Sequence, residues 1–365
     1  MDLIQVTISS VLCVVLIYLM VYEHKQMEQK NKFPYFDNLA ERVNTMNNTW
    51  KAKQVDPLPL YVEPSQTMVN HILKNTIMEN KLKEYHLLWK RAKTIYSNDD
   101  NLPKRFDARE AWPNCTTIGK VYDIGSSKLF WSTPIAQMIS DRICIHSNGT
   151  RNVEISASDI SICVPLELNV TTTSDIVHDV LKHYLTYGFV TGGEYGSNIG
   201  CKPYWLPKCN HGTMRNHYRV CIEQESDLSR LPSCVRSCTN PTYGKSYQDD
   251  LHYGSIITMP ENVNEIMSDL MLNGPLVVNM DIFTGFYIYD SGIYQLVPGE
   301  ALVSTNVLKL IGWGTENGID YWLLVNSWNE YYGMNGTIKI VRGINEFNIE
   351  IGAFSVLPLN SHVPM

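Results

Sequence analysis

Positive charge is scarce in this sequence: 30 Lys and Arg stand against 37 Asp and Glu, a formal net charge of -7, and no basic run offsets it. That balance excludes a nucleic-acid backbone as the expected partner. Repeats and low-complexity tracts are also absent, which leaves no signature of a solenoid or of a long polar linker. The apolar stretch at residues 3–22 lacks two marks of a cleaved leader, because it begins Met1-Asp2 and ends Met20-Val21-Tyr22-Glu23 with neither a basic start nor a small-residue cut site. It is long enough to span a bilayer, so residues 1–23 read as a signal-anchor, with a cleaved signal peptide as the alternative. Lys25, Lys30 and Lys32 follow the span and favour keeping that side in the cytosol.

Cysteine and glycosylation signals pull the other way. The chain has 9 Cys, of which Cys13 lies in the apolar stretch and the others form an even set. In a secretory context an even set reads as a disulfide framework. Sequons at Asn47, Asn114, Asn148, Asn169 and Asn335 agree with that route, while Asn240 is excluded by Pro241. A folding domain can translocate against a weak charge bias, so the cysteines decide: the expectation is a lumenal or extracellular domain, membrane-anchored, or secreted or lysosome-like if the leader is cut. At 365 residues there is room for one large domain or two lobes with an extension.

The ordered motifs narrow the class. Leu102-Pro103-Lys104-Arg105-Phe106-Asp107 and Trp112-Pro113-Asn114-Cys115 come first, then Ser140-Asp141-Arg142-Ile143-Cys144-Ile145-His146. Asn273-Gly274-Pro275, Ser291-Gly292-Ile293-Tyr294, Gly312-Trp313-Gly314, Tyr321-Trp322-Leu323 and Asn326-Ser327-Trp328 follow. This series resembles the cathepsin B-like cysteine peptidases of the papain family over roughly residues 35 to 357. The resemblance implies an α+β fold of two lobes, helical first and β-rich second. It also implies a helical pro-segment over residues 24–101, a papain-like domain over residues 102–365 and an occluding-loop-like region near 201–238.

The same resemblance exposes what the site lacks. The family writes Asp-Gln-Gly-Ser-Cys-Gly-Ser-Cys-Trp where this chain has Asp123-Ile124-Gly125-Ser126-Ser127-Lys128-Leu129-Phe130-Trp131. Phe130 therefore stands at the nucleophile position and Ile124 at the oxyanion-donor position, while the register before Gly312-Trp313-Gly314 puts Asn306 at the catalytic His. Asn326, which orients that His in relatives, is kept. Cysteine-peptidase chemistry needs a thiolate, a base and oxyanion donors. With a triad member gone, about 10³–10⁴-fold rate survives from the oxyanion hole and binding, and here those are altered too. Ser126 and Ser127 precede the helix with no His at the family's base position.

Further expectations follow from the resemblance. The implied disulfides are Cys115–Cys144, Cys163–Cys234, Cys201–Cys238 and Cys209–Cys221, each contributing about 2–4 kcal/mol by constraining the unfolded chain. Two family bridges have lost both ends together. His211 is implied to pair with Asp123 as an occluding-loop clamp, whereas the family's second loop His is Gly212 and the acid of its other clamp is Tyr331. The substrate wall that relatives build from Cys-Asn-Gly-Gly reads here Cys163-Val164-Pro165-Leu166-Glu167-Leu168-Asn169, without the Gly pair. Cys209, His211, His217 and Cys221 also permit a zinc reading, but these cysteines fit a disulfide better, so neither metal nor cofactor is expected.

Periodicity supplies the local expectations. Leu39, Val43, Met46 and Trp50 fall on one helical face, with Asn38 and Glu41 spaced as a capping pair, and a second helical stretch runs over about 66–93. Leu129 to His146 is expected as the central helix, with Pro134 in its opening turns. Strands are expected at Leu276 to Ile282, Phe286 to Tyr289, Val307 to Ile311 and Tyr321 to Val325. Trp131 and Trp328 read as core rather than as a ligand platform. The leading expectation is a non-catalytic protein that binds a protein or peptide. The alternatives are a hydrolase using an unrecognised arrangement, and a structural ectodomain.

Overall fold

The computed structural model describes residues 34–46, 48–53, 102–165, 172–212, 217–221 and 232–359. The expected leader at 3–22, the helical stretch at 66–93, and the sequons at Asn47 and Asn169 lie outside those residues. Among the described residues, no helix is long and apolar enough to cross a membrane.

The chain enters through helix α1 (Pro34–Thr45) and a short strand β1 (Trp50–Ala52). Leu39, Ala40 and Val43 are buried, as the spacing required, but Met46 is exposed. Asn38 lies inside α1 rather than at its start, so the expected capping pair is not a cap. Trp50 also departs from expectation: it belongs to β1, its indole N–H donates to Gln295 O at 3.0 Å, and its ring meets Tyr294 edge-on at 4.9 Å. A Trp whose ring is buried and whose N–H has a partner stabilises a docked strand better than a fourth helical turn.

The papain-like region opens with β2 (Phe106–Asp107) and the one-turn α2 (Ala108–Ala111), capped by Asp107, whose carboxylate accepts from Arg109 N. Helix α3 (Ser132–His146) is buried along nearly its whole length, the mark of a central helix. It starts three residues later than Leu129, because Ser132 N reaches only the Leu129 carbonyl, in a turn, before the first i→i−4 bond from Ile135 to Trp131. Helices α4 (Ala157–Cys163) and α5 (Thr173–Thr186) complete the first lobe. α5 begins with a reciprocal capping box between Thr172 and Asp175.

The second lobe is β-rich. Strand β3 (Gly254–Thr258) and helix α6 (Val263–Asn273), N-capped by Asn262, lead into β4 (Leu276–Phe283). Next come one helical turn, α7 (Thr284–Ile288), and β5 (Tyr289–Tyr294). The strand expected at Phe286 to Tyr289 is therefore mostly helix. Glu300 explains the bend, since its carboxylate accepts from Gly285 N at 2.8 Å and from the Tyr294 hydroxyl at 2.5 Å, holding the chain out of the ladder. Strands β6 (Leu302–Glu316), β7 (Ile319–Val325), β8 (Thr337–Val341) and β9 (Ala353–Pro358) finish the sheet, ordered β1-β5-β8-β7-β6-β4-β9-β3. Only β5–β8 pairs parallel; β1 adds antiparallel to the β5 edge, with Trp50 opposite Gly292.

Two buried ion pairs tie α3 to this lobe. Lys309 Nζ on β6 meets Asp141 at 2.8 Å, and Arg142 meets Asp269 at 2.8 Å while donating to the Pro275 and Gly274 carbonyls. All four side chains are fully buried. Burial pushes the Asp141 carboxyl up against the downward pull of Lys309. A hydrophobic cluster continues the junction, joining Leu129, Trp131, Ile135 and Val177 of the first lobe to Val277, Val307 and Phe354 of the second.

Candidate functional site

The site lies where the start of α3, strand β6 and the turn after β7 meet. Ile124 is buried; its N–H donates to Ser327 O at 3.0 Å and its carbonyl accepts from the Tyr204 hydroxyl at 3.1 Å. Phe130 is half-buried and packs on the interlobe cluster beside Trp131, which is 2 % exposed. Asn306 is buried on β6 opposite Met280, and its side-chain oxygen accepts from the following N–H of Val307 at 2.8 Å. The β6–β7 register, Lys309 opposite Val325, brings Asn306 and Asn326 to the same end of the hairpin. Asn326 turns its oxygen to Ser327 N at 2.8 Å and leaves a buried Nδ2 without a hydrogen-bond partner.

A benzyl group, an alkyl chain and a carboxamide neither attack a carbonyl nor relay a proton at ordinary pH. No spare thiol is nearby to replace them, since every cysteine among the described residues is in a disulfide. Ser127 is also occupied: its hydroxyl accepts from Leu129 N at 3.0 Å in the turn before α3.

The first turn of α5 is hydrogen-bonded to the second lobe beside Asn306. Thr173 Oγ1 and Thr305 Oγ1 are 2.7 Å apart, and Asn279 Nδ2 donates to Ser174 Oγ at 2.6 Å. Thr305 precedes Asn306, and Asn279 pairs across β4–β6 with Val307. These two contacts bridge the lobes on the flank of the site. Nothing in the sequence periodicity marked these four residues; they join segments more than a hundred positions apart.

On the other flank, Asp123 is 5 % exposed and its carboxylate is saturated. Oδ1 accepts from Gly125 N at 2.6 Å and from His211 Nε2 at 2.8 Å, while Oδ2 accepts from Asn329 Nδ2 at 2.7 Å and Cys209 N at 3.1 Å. Four donors use the four acceptor directions of a carboxylate. The His211 ring also stacks on Trp328, with centroids 5.6 Å apart. Gly125 permits this turn: its φ is +58, and a Cβ there would sit 2.9 Å from both Leu206 Cβ and Pro207 O. Asp123 and Trp328 also form a β-bridge, so the clamp joins the first-lobe turn, the loop and the second lobe.

The remaining expected residues fall as follows. Cys209 and Cys221 bracket His211, with ring nitrogens 3.8 and 3.6 Å from their sulfurs, but those sulfurs are bonded to each other and are not thiolate ligands. His217 packs edge-on against Tyr331 instead. The other bridges are Cys115–Cys144, Cys163–Cys234 and Cys201–Cys238. Asn114, Asn148 and Asn335 are all exposed. At the entry segment, Lys53 N–H donates to Ile288 O at 2.8 Å and burial pulls its ammonium down to about 8. Sequence patterning missed Lys53, Lys202 and Lys309, because a buried lysine looks like any surface lysine until its carboxylate or carbonyl partner is placed.

Comparison with known proteins agrees with this geometry. The model of the papain family cysteine protease matches residues 102–357. Cathepsin B-like cysteine proteinase 4 of Caenorhabditis elegans is 32% identical over 321 residues, covering 88% of this chain and 91% of the relative. Cathepsin B-like cysteine proteinase 6 of the same organism is 31% identical over 344 residues, covering 93% of this chain and 88% of the relative. Among solved structures, procathepsin B S9 from Trypanosoma congolense superposes with a TM-score of 0.60 at 23% identity, covering 88% of this chain and 97% of that one. The proform of the ragweed pollen cysteine protease Amb a 11 gives 0.59 at 14% identity, covering 90% and 87%. These structural likenesses show a papain-like α+β fold.

Proposed function

We propose that this chain, which belongs to the papain family of cysteine proteases, is a non-catalytic cathepsin B-like protein of the secretory pathway that binds a protein or peptide partner. The observation that carries the reading is the joint state of the site. Phe130, Asn306 and Ile124 hold the positions that the resemblance assigns to nucleophile, base and oxyanion donor, and no described cysteine is free. The bridges Thr173–Thr305 and Ser174–Asn279 support it further, because they tie the first turn of α5 to the second lobe directly beside Asn306.

The partner surface in this reading is the loop region near 201–238. The Asp123–His211 clamp holds that loop to both lobes, and Val220 and Val235 stand exposed on it. Helix α1 and β1, docked on the sheet edge, act as the first part of a retained pro-segment that serves as a lid. The disulfides and exposed sequons support a lumenal or extracellular domain, whether residues 1–23 anchor it or are removed. The test is a purified full chain displayed as bait to secretory-pathway extract, beside a His211→Ala variant. A partner retained by the native chain and lost with the variant fits this reading; a partner retained equally by both places the contact elsewhere.

A further inference from the structure

Of the eight disulfide cysteines, only Cys234 is exposed; its partner Cys163 is half-buried, at the end of α4. Behind Cys163 sits a lysine that the site does not use. Lys202 is 4 % exposed, and its ammonium lies 3.5 Å from Cys163 Sγ, 2.8 Å from Asp159 Oδ1 and 4.8 Å from the centre of the Tyr247 ring. Tyr247 donates its hydroxyl to both Asp159 oxygens, and Val190 N also donates to that carboxylate. The carboxylate is thus drawn toward two other donors, leaving part of the ammonium field for the sulfur. Arg236, two residues from Cys234, adds a second positive charge to this neighbourhood, and His183 faces Asp159 from α5.

We infer that Cys163–Cys234 is a thiol-addressable disulfide, polarised so that external thiolates attack Cys234 and expel Cys163 as a thiolate held by Lys202. The exchange balances in two steps. An incoming thiolate bonds to Cys234 Sγ, and the electron pair of the broken S–S bond leaves on Cys163. A second thiolate then attacks the external sulfur of the mixed disulfide and frees Cys234, so that the protein gains two electrons and the thiol pair becomes a disulfide. Exchange rates rise with access to the attacked sulfur and with stabilisation of the leaving thiolate, and this bridge alone combines an exposed cysteine with a fixed cation behind its partner.

The other three bridges set the comparison. Cys115–Cys144 is buried at both ends, and Cys201–Cys238 has one end fully buried and the other half-buried. Cys209–Cys221 also touches a nitrogen base, but His211 is committed to Asp123 and Cys209 is 1 % exposed. Opening Cys163–Cys234 would release a link of sequence separation 71 between α4 and the loop region, while Cys201–Cys238 and Cys209–Cys221 keep the loop's own frame.

The experiment is timed reduction of the folded full chain with limiting dithiothreitol, alkylation of the thiols released, and peptide mapping. Cys163 and Cys234 are expected to label first, ahead of all six other bridged cysteines. Asp159→Asn removes the competing negative charge and should speed this step about tenfold, whereas Asp159→Asn combined with Lys202→Gln should slow it about tenfold from that level. Lys202→Arg keeps a cation and should stay near the native rate. If Cys209–Cys221 or another bridge opens first, or if the double variant opens as fast as Asp159→Asn alone, the inference is wrong. Should the double variant fail to fold, the order of opening in the native chain and the acceleration by Asp159→Asn still decide it.

Discussion

Replacing Asp123 by Ala should be among the costliest single changes near the site, because the carboxylate satisfies four donors at once. Asp123→Ala strips the acceptor from Gly125 N and Cys209 N, from one Asn329 N–H and from His211. A buried donor left unsatisfied costs about 1–3 kcal/mol, but Asn329 still donates to Cys209 O and water can reach the half-buried His211. The net expectation is about 4 kcal/mol, in line with about 3–5 kcal/mol for breaking a buried pair by removing one partner. His211→Ala removes only one of the four donors and should cost about 1–2 kcal/mol. Urea unfolding at pH 7 measures both, and hydrogen exchange should show the loop around Cys209 losing protection before α3 does. The double variant should cost little more than Asp123→Ala alone, because the two act through one contact. If Asp123→Ala costs less than His211→Ala, or under about 1 kcal/mol, the clamp does not hold the loop as described.

Three other outcomes follow from the same contacts. Lys309→Met leaves Asp141 buried without its cation and should destabilise by about 3–5 kcal/mol in the same urea assay, with Asp141→Asn added to the variant recovering part of it. Burial and the nearby Arg142 pull His146 down to about 4, so an unfolded chain takes up this proton near pH 6.5 while the native chain does not until about 4. Its contribution is whole above pH 6.5 and is lost as pH falls through that window, by about 3 kcal/mol in total; His146→Gln should flatten that slope in thermal melts. Asn279→Ala with Thr305→Val removes both interlobe bridges at small cost in stability, and amide exchange in the first turn of α5 should then rise at least tenfold; unchanged protection would mean those bonds do not hold the lobes together there.

The parts of this fold set by local chemistry were readable in order. Burial of Leu39 and Val43, the central helix with Pro134 near its start, and the strand runs around β4, β6 and β7 all follow from period and turn residues. What escaped were decisions made by distant partners. Trp50 leaves the helical face because Gln295 and Tyr294 offer its ring and N–H a better place. Phe286 coils into α7 because Glu300 ties Gly285 N to the far side of the turn. The Thr173–Thr305 bond, the Lys309–Asp141 pair and the Lys202–Cys163 contact each join residues whose letters carry no local signal. The readings of Ile124, Phe130 and Asn306 have the opposite source, since they rest on the family motifs that flank them and not on any distant contact.

Turnover is the most direct measurement. The purified full chain is assayed on dipeptidyl and dibasic reporter peptides at acid pH, beside a variant carrying Phe130→Cys, Asn306→His and Ile124→Gln. The native chain should give no turnover above the buffer blank, and the triple variant should acquire a thiol that small alkylating agents modify. Hydrolysis by the native chain, abolished by changing one named residue, would contradict the account.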